Sequence, residues 1–246
     1  NTDESPEKEA AYINMLIAMN ADGIIVMSNN DNLGLEIHKC PFPVVALDQK
    51  VDSDYSVISV QSDNYQGGYL AAEHLIHCGC RRIVQMRGPQ KYLSGVERFQ
   101  GYLDACKKYG IEPRYIDCNY DFMSGVVCSE KLMKEFPDVD GILASSDLTA
   151  LSAYKILSRS GRRIPDDVML VGYDNVQLST LTTPELTTIA QPMEEIGKLS
   201  VQVILRQVSG EKSLRPVNVL PIELKVRQTT KIKQKSKISE KKGAET

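Results

Sequence analysis

Two hydrophobic rhythms alternate along the chain. Short unbroken apolar runs, such as Ile24-Ile25-Val26-Met27 and Val44-Val45-Ala46-Leu47, are separated by longer stretches whose apolar residues recur three and four apart. Runs without polar alternation predict parallel strands covered on both faces, and the longer stretches predict amphipathic helices. The first helix begins at Ser5 as cap, with Pro6 in first position and Glu7 at the positive end, buries Ile13, Leu16 and Ile17, and stops at Ala21-Asp22-Gly23. Strands are then expected at 24–27, 44–47, 57–60, 83–86, 115–118, 141–144, 168–171 and 187–190. Helices are expected at 64–78, 94–109, 124–135, 147–159 and 193–208, with a weaker one around Leu33 to Ile37. Gly110 and Gly161 stand where helix ends need left-handed backbone.

This order is that of an α/β protein with doubly wound parallel sheets. In such sheets ligands sit beyond the carboxyl ends of the strands, which selects Asp48-Gln49, Gly88 to Ser94, Asn119 to Ser124, Ser145 to Asp147, Asp174 to Leu178, and Gln191-Pro192. Their polar content suits a hydroxylated small molecule and is poor for catalysis. His38, His74 and His77 all lie elsewhere, and no nucleophile elbow, phosphate-cradling lysine loop or dinucleotide glycine fingerprint follows a strand. A binding protein fits better than an enzyme, and no cofactor is expected.

Composition narrows this further. The 246 residues are 42% hydrophobic and 25% charged, enough to bury a substantial core, and no apolar run approaches the length of a membrane span. The net charge of −3 hides an asymmetry: residues 225–246 carry eight Lys or Arg against Glu240 and Glu245, leaving −9 on the preceding 224. An acidic body repels phosphate backbones. The tail from Lys231 lacks apolar periodicity and is expected to be disordered. Six cysteines without a leader read as reduced thiols in a cytoplasmic protein. His74, His77, Cys78 and Cys80 could in principle hold a soft metal, but Gly79 among them is better explained as the end of a helix, and no metal site is expected.

Several stretches in this order resemble the effector-binding core of bacterial regulators of the lactose-repressor (LacI/GalR) family. They are Ser62-Asp63-Asn64 with Gly67-Gly68 and Glu73; Glu97-Arg98-Phe99-Gln100-Gly101-Tyr102; Ser146-Asp147-Leu148; Ile164-Pro165 with Val171-Gly172-Tyr173-Asp174-Asn175; and Leu186 to Pro192. The resemblance runs to about Thr229 and is nearest to ribose-type repressors. It implies a periplasmic-binding-protein-like (type I) fold, with two Rossmann-like subdomains joined by three crossovers. These are expected near Gly88 to Ser94, Ala190 to Pro192 and Val219 to Pro221, giving subdomains 1–89 plus 191–218 and 90–190 plus 219–230. It further implies that the DNA-binding headpiece, its hinge and the first strand, first helix and second strand of the first subdomain belong to a longer regulator. The resemblance therefore points to an effector-controlled homodimer that meets operator DNA only through that headpiece, with no membrane partner.

The resemblance also marks site residues. Arg98 matches an effector-binding position, and its fork of five donors suits vicinal hydroxyls or a carboxylate; the plainer reading is a surface helix arginine. Asp174 would accept from sugar hydroxyls, or merely cap its own turn. Tyr120 would stack on a ligand ring, or simply pack. Ser94, Ser146 and Gln191 match smaller polar contacts that could equally be caps or loop residues, and Asp48 could meet hydroxyls from the first subdomain. Asp147 could be only a helix cap, and Gly67-Gly68 speaks for close helix packing over a phosphate loop. The expected effector is a neutral pentose or hexose, with ribose leading. A purine effector competes, although the chain has no Trp to wall it. The alternatives in other classes are a periplasmic sugar-binding protein of a transporter and a nucleotide-sugar or phosphoribosyl enzyme on a similar sheet.

Overall fold

The computed structural model describes residues 2, 5–28, 37, 39–49, 57–211 and 214–232. The helix expected around Leu33 to Ile37 and the tail beyond Ile232 therefore lie almost wholly outside the described residues. Six helices are described: α1 (Pro6–Ala18), α2 (Asn64–His77), α3 (Leu93–Tyr109), α4 (Phe122–Glu135), α5 (Asp147–Arg159) and α6 (Met193–Val208). The strands are β1 (Ile24–Val26), β2 (Val44–Leu47), β3 (Ile58–Ser62), β4 (Ile83–Arg87), β5 (Arg114–Asp117), β6 (Gly141–Leu143), β7 (Met169–Asp174), β8 (Thr187–Ala190), β9 (Val217–Leu220) and β10 (Glu223–Lys225). Local signals act as expected: the Ser5 hydroxyl accepts from the Lys8 N–H at 3.3 Å, and Gly110 and Gly161 close their helices at φ 66° and 74°.

The strands form two sheets, ordered β1-β2-β3-β9 and β10-β8-β7-β6-β4-β5, and every pairing except β10 with β8 is parallel. Alternate residues of one strand serve opposite cores, which is why the strand runs are apolar throughout. On β7, Met169, Val171 and Tyr173 join Leu75 of α2 and Tyr102 of α3, whereas Leu170 joins Leu132 of α4 and Ala150 of α5 on the other face. On β2, Val44 and Ala46 face Ile13 of α1, while Val45 faces Ile196 and Val203 of α6. Each such fully buried aliphatic chain contributes about 1.5–3 kcal/mol.

The first crossover is not where the sequence placed it. The chain leaves the first sheet after β3, at Ser62 to Asn64, because α2 packs on α3 and β4 already belongs to the second sheet. Residues 64–87 therefore sit with the second subdomain, not the first. The reason is steric as well as hydrophobic. A Cβ on Gly68 would lie 2.0 Å from the Arg98 carbonyl oxygen, and one on Gly101 would lie 2.1 Å from that of Tyr65, so these glycines let α2 and α3 touch backbone to backbone. Gly67-Gly68 thus serves packing. The other two passages lie at Gln191-Pro192, between β8 and α6, and at Pro221-Ile222, between β9 and β10. The strands β9 and β10 were not expected from the pattern. They are three or four residues long, and β9 alternates between exposed and half-buried positions as an edge strand does. Among the described residues no helix is long and apolar enough to cross a membrane.

Candidate functional site

The carboxyl ends of both sheets meet at the crossovers, and one arginine organises the space between them. Arg98 lies one turn into α3 yet is only 7% exposed. Its Nε donates to Asn64 Oδ1 at 2.9 Å and its Nη1 to the Ser145 carbonyl at 3.0 Å. The guanidinium lies 3.6 Å above the Tyr173 ring centroid and 5.8 Å from that of Tyr120. Burial works against its charge, but Tyr173, Tyr120, Asp174 and Asp48 more than offset this and keep it protonated. Two of its five donors are so engaged, and the guanidinium also bonds the Tyr173 side chain.

Asp174 ends β7, and burial pushes its carboxyl above the usual range, with Arg98 and Gln191 pulling the other way. Its Oδ1 accepts from Gln191 Nε2 at 2.7 Å, and Gln191 Oε1 accepts from the Ser62 hydroxyl at 2.8 Å. One crossover side chain thus ties the end of β3 in the first sheet to the end of β7 in the second. A second tie runs through Asp48, whose Oδ1 accepts from the Ser62 N–H and from Asn64 Nδ2, both at 3.3 Å. Asn64 then leads to Arg98. Asp48 and Asp174 both hold left-handed backbone, at φ 48° and 110°, as does Asn175 at 60°. Such conformations persist where the surroundings over-determine them, and they cluster at binding sites.

Tyr120 closes the second subdomain's side. Its ring stacks on Tyr92 at 6.1 Å between centroids, and a Cβ on Gly88 would lie 2.7 Å from it, so the loop after β4 must be glycine here for the ring to lie flat. The Tyr120 hydroxyl and Ser94 Oγ are 3.3 Å apart. Ser146 is a helix cap: its hydroxyl accepts from the Thr149 N–H at 3.2 Å and donates to the Tyr120 carbonyl at 3.1 Å, holding the aromatic loop in place. Asp147, the next residue, is not the cap but the first residue of α5, with its carboxylate fully buried. Just outside the Tyr120 loop, Gly88, Pro89, Gln90, Asn119 and Ser124 line a cavity of about 420 Å³.

The structure therefore brings Arg98, Asp174, Gln191, Asp48 and Tyr120 into one connected network, with Ser94 and Ser146 supporting Tyr120. Sequence reasoning overlooked Ser62, Asn64 and Tyr173, which link the others. Asn64 and Tyr173 sit inside the motif stretches quoted above, and their positions beside Asp63 and Asp174 were the available signal. The histidine and cysteine cluster lies apart: His74 Nε2 pairs with Thr230 Oγ1 at 2.8 Å, the Cys80 thiol donates to the Asp140 carbonyl, and Gly79 takes φ 97° just past α2.

Two α/β subdomains with a polar, arginine-centred junction at their crossovers define a periplasmic-binding-protein-like ligand-binding core. Residues 72–230 match the periplasmic binding protein-like domain family. The ribose operon repressor of Halalkalibacterium halodurans is 32% identical over 231 residues, covering 94% of this chain and 69% of the relative. The transcriptional regulator CelR of Thermobifida fusca is 35% identical over 223 residues, covering 87% of this chain and 65% of that protein. The solved CelR–cellobiose complex has a TM-score of 0.84 at 32% identity, over 92% of this chain and 71% of the other. A LacI transcriptional regulator from Alkaliphilus metalliredigens complexed with D-xylulofuranose has a TM-score of 0.84 at 30% identity, over 94% and 85%. The chain belongs to the LacI family of transcriptional regulators, which are not enzymes. It spans about two thirds of the length of these curated relatives.

Proposed function

We propose that this chain is the effector-binding core of a LacI-type repressor and takes a small neutral sugar, with ribose or another pentose first, between its two subdomains. The observation that carries this reading is the buried Arg98 fork facing the Asp174 carboxylate, with both tied through Asn64 and Gln191 to the first sheet. A sugar offers adjacent hydroxyls that both donate and accept, matching an anionic acceptor and a cationic donor set side by side. In this reading Arg98 and Asp174 hold the hydroxyls, the Tyr120 face covers the apolar side of the ring, and Ser94, Gln191 and Asp48 add polar contacts. Ser146 acts through the Tyr120 loop. Support for the ligand class comes from relatives whose names or complexes involve ribose, cellobiose and D-xylulofuranose.

The mechanism is a population shift. Gln191 and Ser62 already join the subdomains, and a ligand that replaces or extends these bonds biases how the two halves close. In the whole regulator, a cytoplasmic homodimer, that closure changes the spacing of paired helix-turn-helix headpieces on operator DNA, with couplings of about 1–3 kcal/mol. The test is a thermal melt against pentoses, hexoses, their phosphates, cellobiose and purines, with Arg98→Ala as control. A sugar at 100 times its dissociation constant adds roughly 2.7 kcal/mol of stability. The reading expects one sugar to raise the melting temperature of the parent and not of the variant. A rise with a purine alone would replace the sugar by a purine effector, and a cooperative melt that nothing shifts would sink the assignment.

A further inference from the structure

The turn that presents Asp174 is held by two charged side chains that the effector reading does not use. Left-handed backbone at two consecutive non-glycine residues, Asp174 and Asn175, needs support from outside the turn. Asp147 supplies it from the start of α5. Its Oδ2 accepts from the Val176 N–H at 2.8 Å and its Oδ1 from the Thr188 hydroxyl at 2.6 Å, while its own N–H donates to the Asp174 carboxylate. A Cβ on Gly172 would lie 2.3 Å from Asp147 Oδ1, so the carboxylate rests directly on the β7 backbone. Arg227, just beyond β10, grips the far end of the same turn. Its Nη2 donates to Asn175 Oδ1 at 2.6 Å, and its Nη1 donates to Ser179 Oγ at 3.1 Å and to the Leu186 carbonyl at 2.7 Å.

We infer that Asp147 and Arg227 are positioning residues that set the Asp174–Leu178 turn of the effector site, and that protonation of Asp147 makes effector affinity depend on pH. The inference rests on the effector reading above. Burial pushes the Asp147 carboxyl up to about 7; Asp174 adds to the rise, and Thr188, the Val176 N–H and Arg227 oppose it. The charged groups facing it are Asp174 from β7 and Arg227 from the segment after β10, with Arg98 of α3 acting on Asp174 in turn. In the neutral form Oδ1–H donates to Thr188 Oγ1, whose hydroxyl then turns toward the Ile189 carbonyl 3.4 Å away, and Oδ2 keeps Val176. The turn is thus held in both forms, but only above neutrality do two carboxylates stand side by side. A ligand seated on Asp174 excludes water from that carboxylate and so strengthens its repulsion of a charged Asp147, whose own carboxyl is already buried; binding then takes up a proton and affinity falls as pH rises through about 7.

The experiment follows backbone amide resonances of the whole chain from about pH 5 to 9, with D-ribose titrations at pH 6 and 8. In the parent protein the amides of Asn175, Val176 and Ser179 are expected to move together with one midpoint near neutrality. In Asp147→Asn, whose side-chain amide reproduces the donor and acceptor of the neutral acid, that shared midpoint is expected to vanish, leaving only the titration of Asp174 itself. D-ribose affinity is expected to fall several-fold from pH 6 to 8 in the parent and to be constant in Asp147→Asn. Arg227→Lys keeps the charge but cannot reach three acceptors at once, so hydrogen exchange at residues 175–179 should quicken with the cooperative melt retained. Amides that stay flat in the parent, or that titrate equally in Asp147→Asn, would overturn the proposal. If D-ribose binds at no pH while the amides titrate as expected, the clamp stands and the ribose reading falls.

Discussion

Arg98 shows how far one side chain can be read in advance. Its fork and its place after the second sheet's first loop marked it as a ligand group, yet nothing in a linear pattern says that it is buried between Tyr173 and Asn64. Removing it leaves the Asn64 side-chain oxygen and the Ser145 carbonyl without their donor. Arg98→Ala should therefore lose roughly 3 kcal/mol of stability as well as ligand binding. A urea titration showing a loss below about 1 kcal/mol would mean that the guanidinium is not held as described. Asp147 makes a second prediction at this scale. Its folded pKa, about 7, lies above its ordinary 3.8, so the folded state binds the extra proton between those values. Stability from this group is full below about pH 4 and is lost as pH rises through 7, a swing on the order of 4 kcal/mol. Asp147→Asn should flatten that part of the curve, and equal pH slopes in parent and variant would refute it. Asp174 and Tyr120 were legible because they end a strand or follow one. Asn64 and Tyr173 stood inside the motif stretches beside Asp63 and Asp174 but took on a role only once the fold set them against the Arg98 guanidinium, and the Ser62 hydroxyl only once it met Gln191.

At the scale of elements, local chemistry predicted the ends of helices well. Ser5, Gly110 and Gly161 act through their own backbone and nearest turns, so their roles need no tertiary information. Contacts between elements behave differently, and a pair of glycines separates the two cases. Gly101 of α3 meets the backbone of Tyr65, which cannot swing aside, so Gly101→Ala should separate α2 from α3 and destabilise by about 1–3 kcal/mol. Gly197 of α6 has nothing within 4 Å of a built Cβ, so Gly197→Ala should stabilise by about 0.5–1 kcal/mol through helix propensity alone. Thermal melts of the two variants should move in opposite directions. A common direction would show that the α2–α3 contact is looser than described.

For the whole molecule, the junction between the subdomains turns on Gln191. Its amide bridges Ser62 and Asp174, at the ends of strands in different sheets. Gln191→Ala removes both bonds and should free the two halves to open. Solution scattering of the unliganded protein should show a larger radius of gyration, and hydrogen exchange should quicken at Ser62 and Asp174 with the helices of each half unchanged. Unaltered scattering and exchange would mean that Asp48, Asn64 and Arg98 hold the two halves together without it.

By itself the sequence determined the number and kind of most elements, their ends, the parallel character of the sheets and the family. Periodicity, caps and motif stretches are local properties that survive in one dimension. Only the tertiary structure decided which sheet each element joins. The rhythm of strand and helix is the same on either side of a crossover, so residues 64–87 looked like a continuation of the first subdomain until α2 was found seated on α3 and β7. The same holds for the site. Arg98, Asp174 and Gln191 are far apart in the chain, and what makes them one network is the backbone contact allowed by Gly68 and Gly101, together with three crossovers that bring the carboxyl ends of two sheets together.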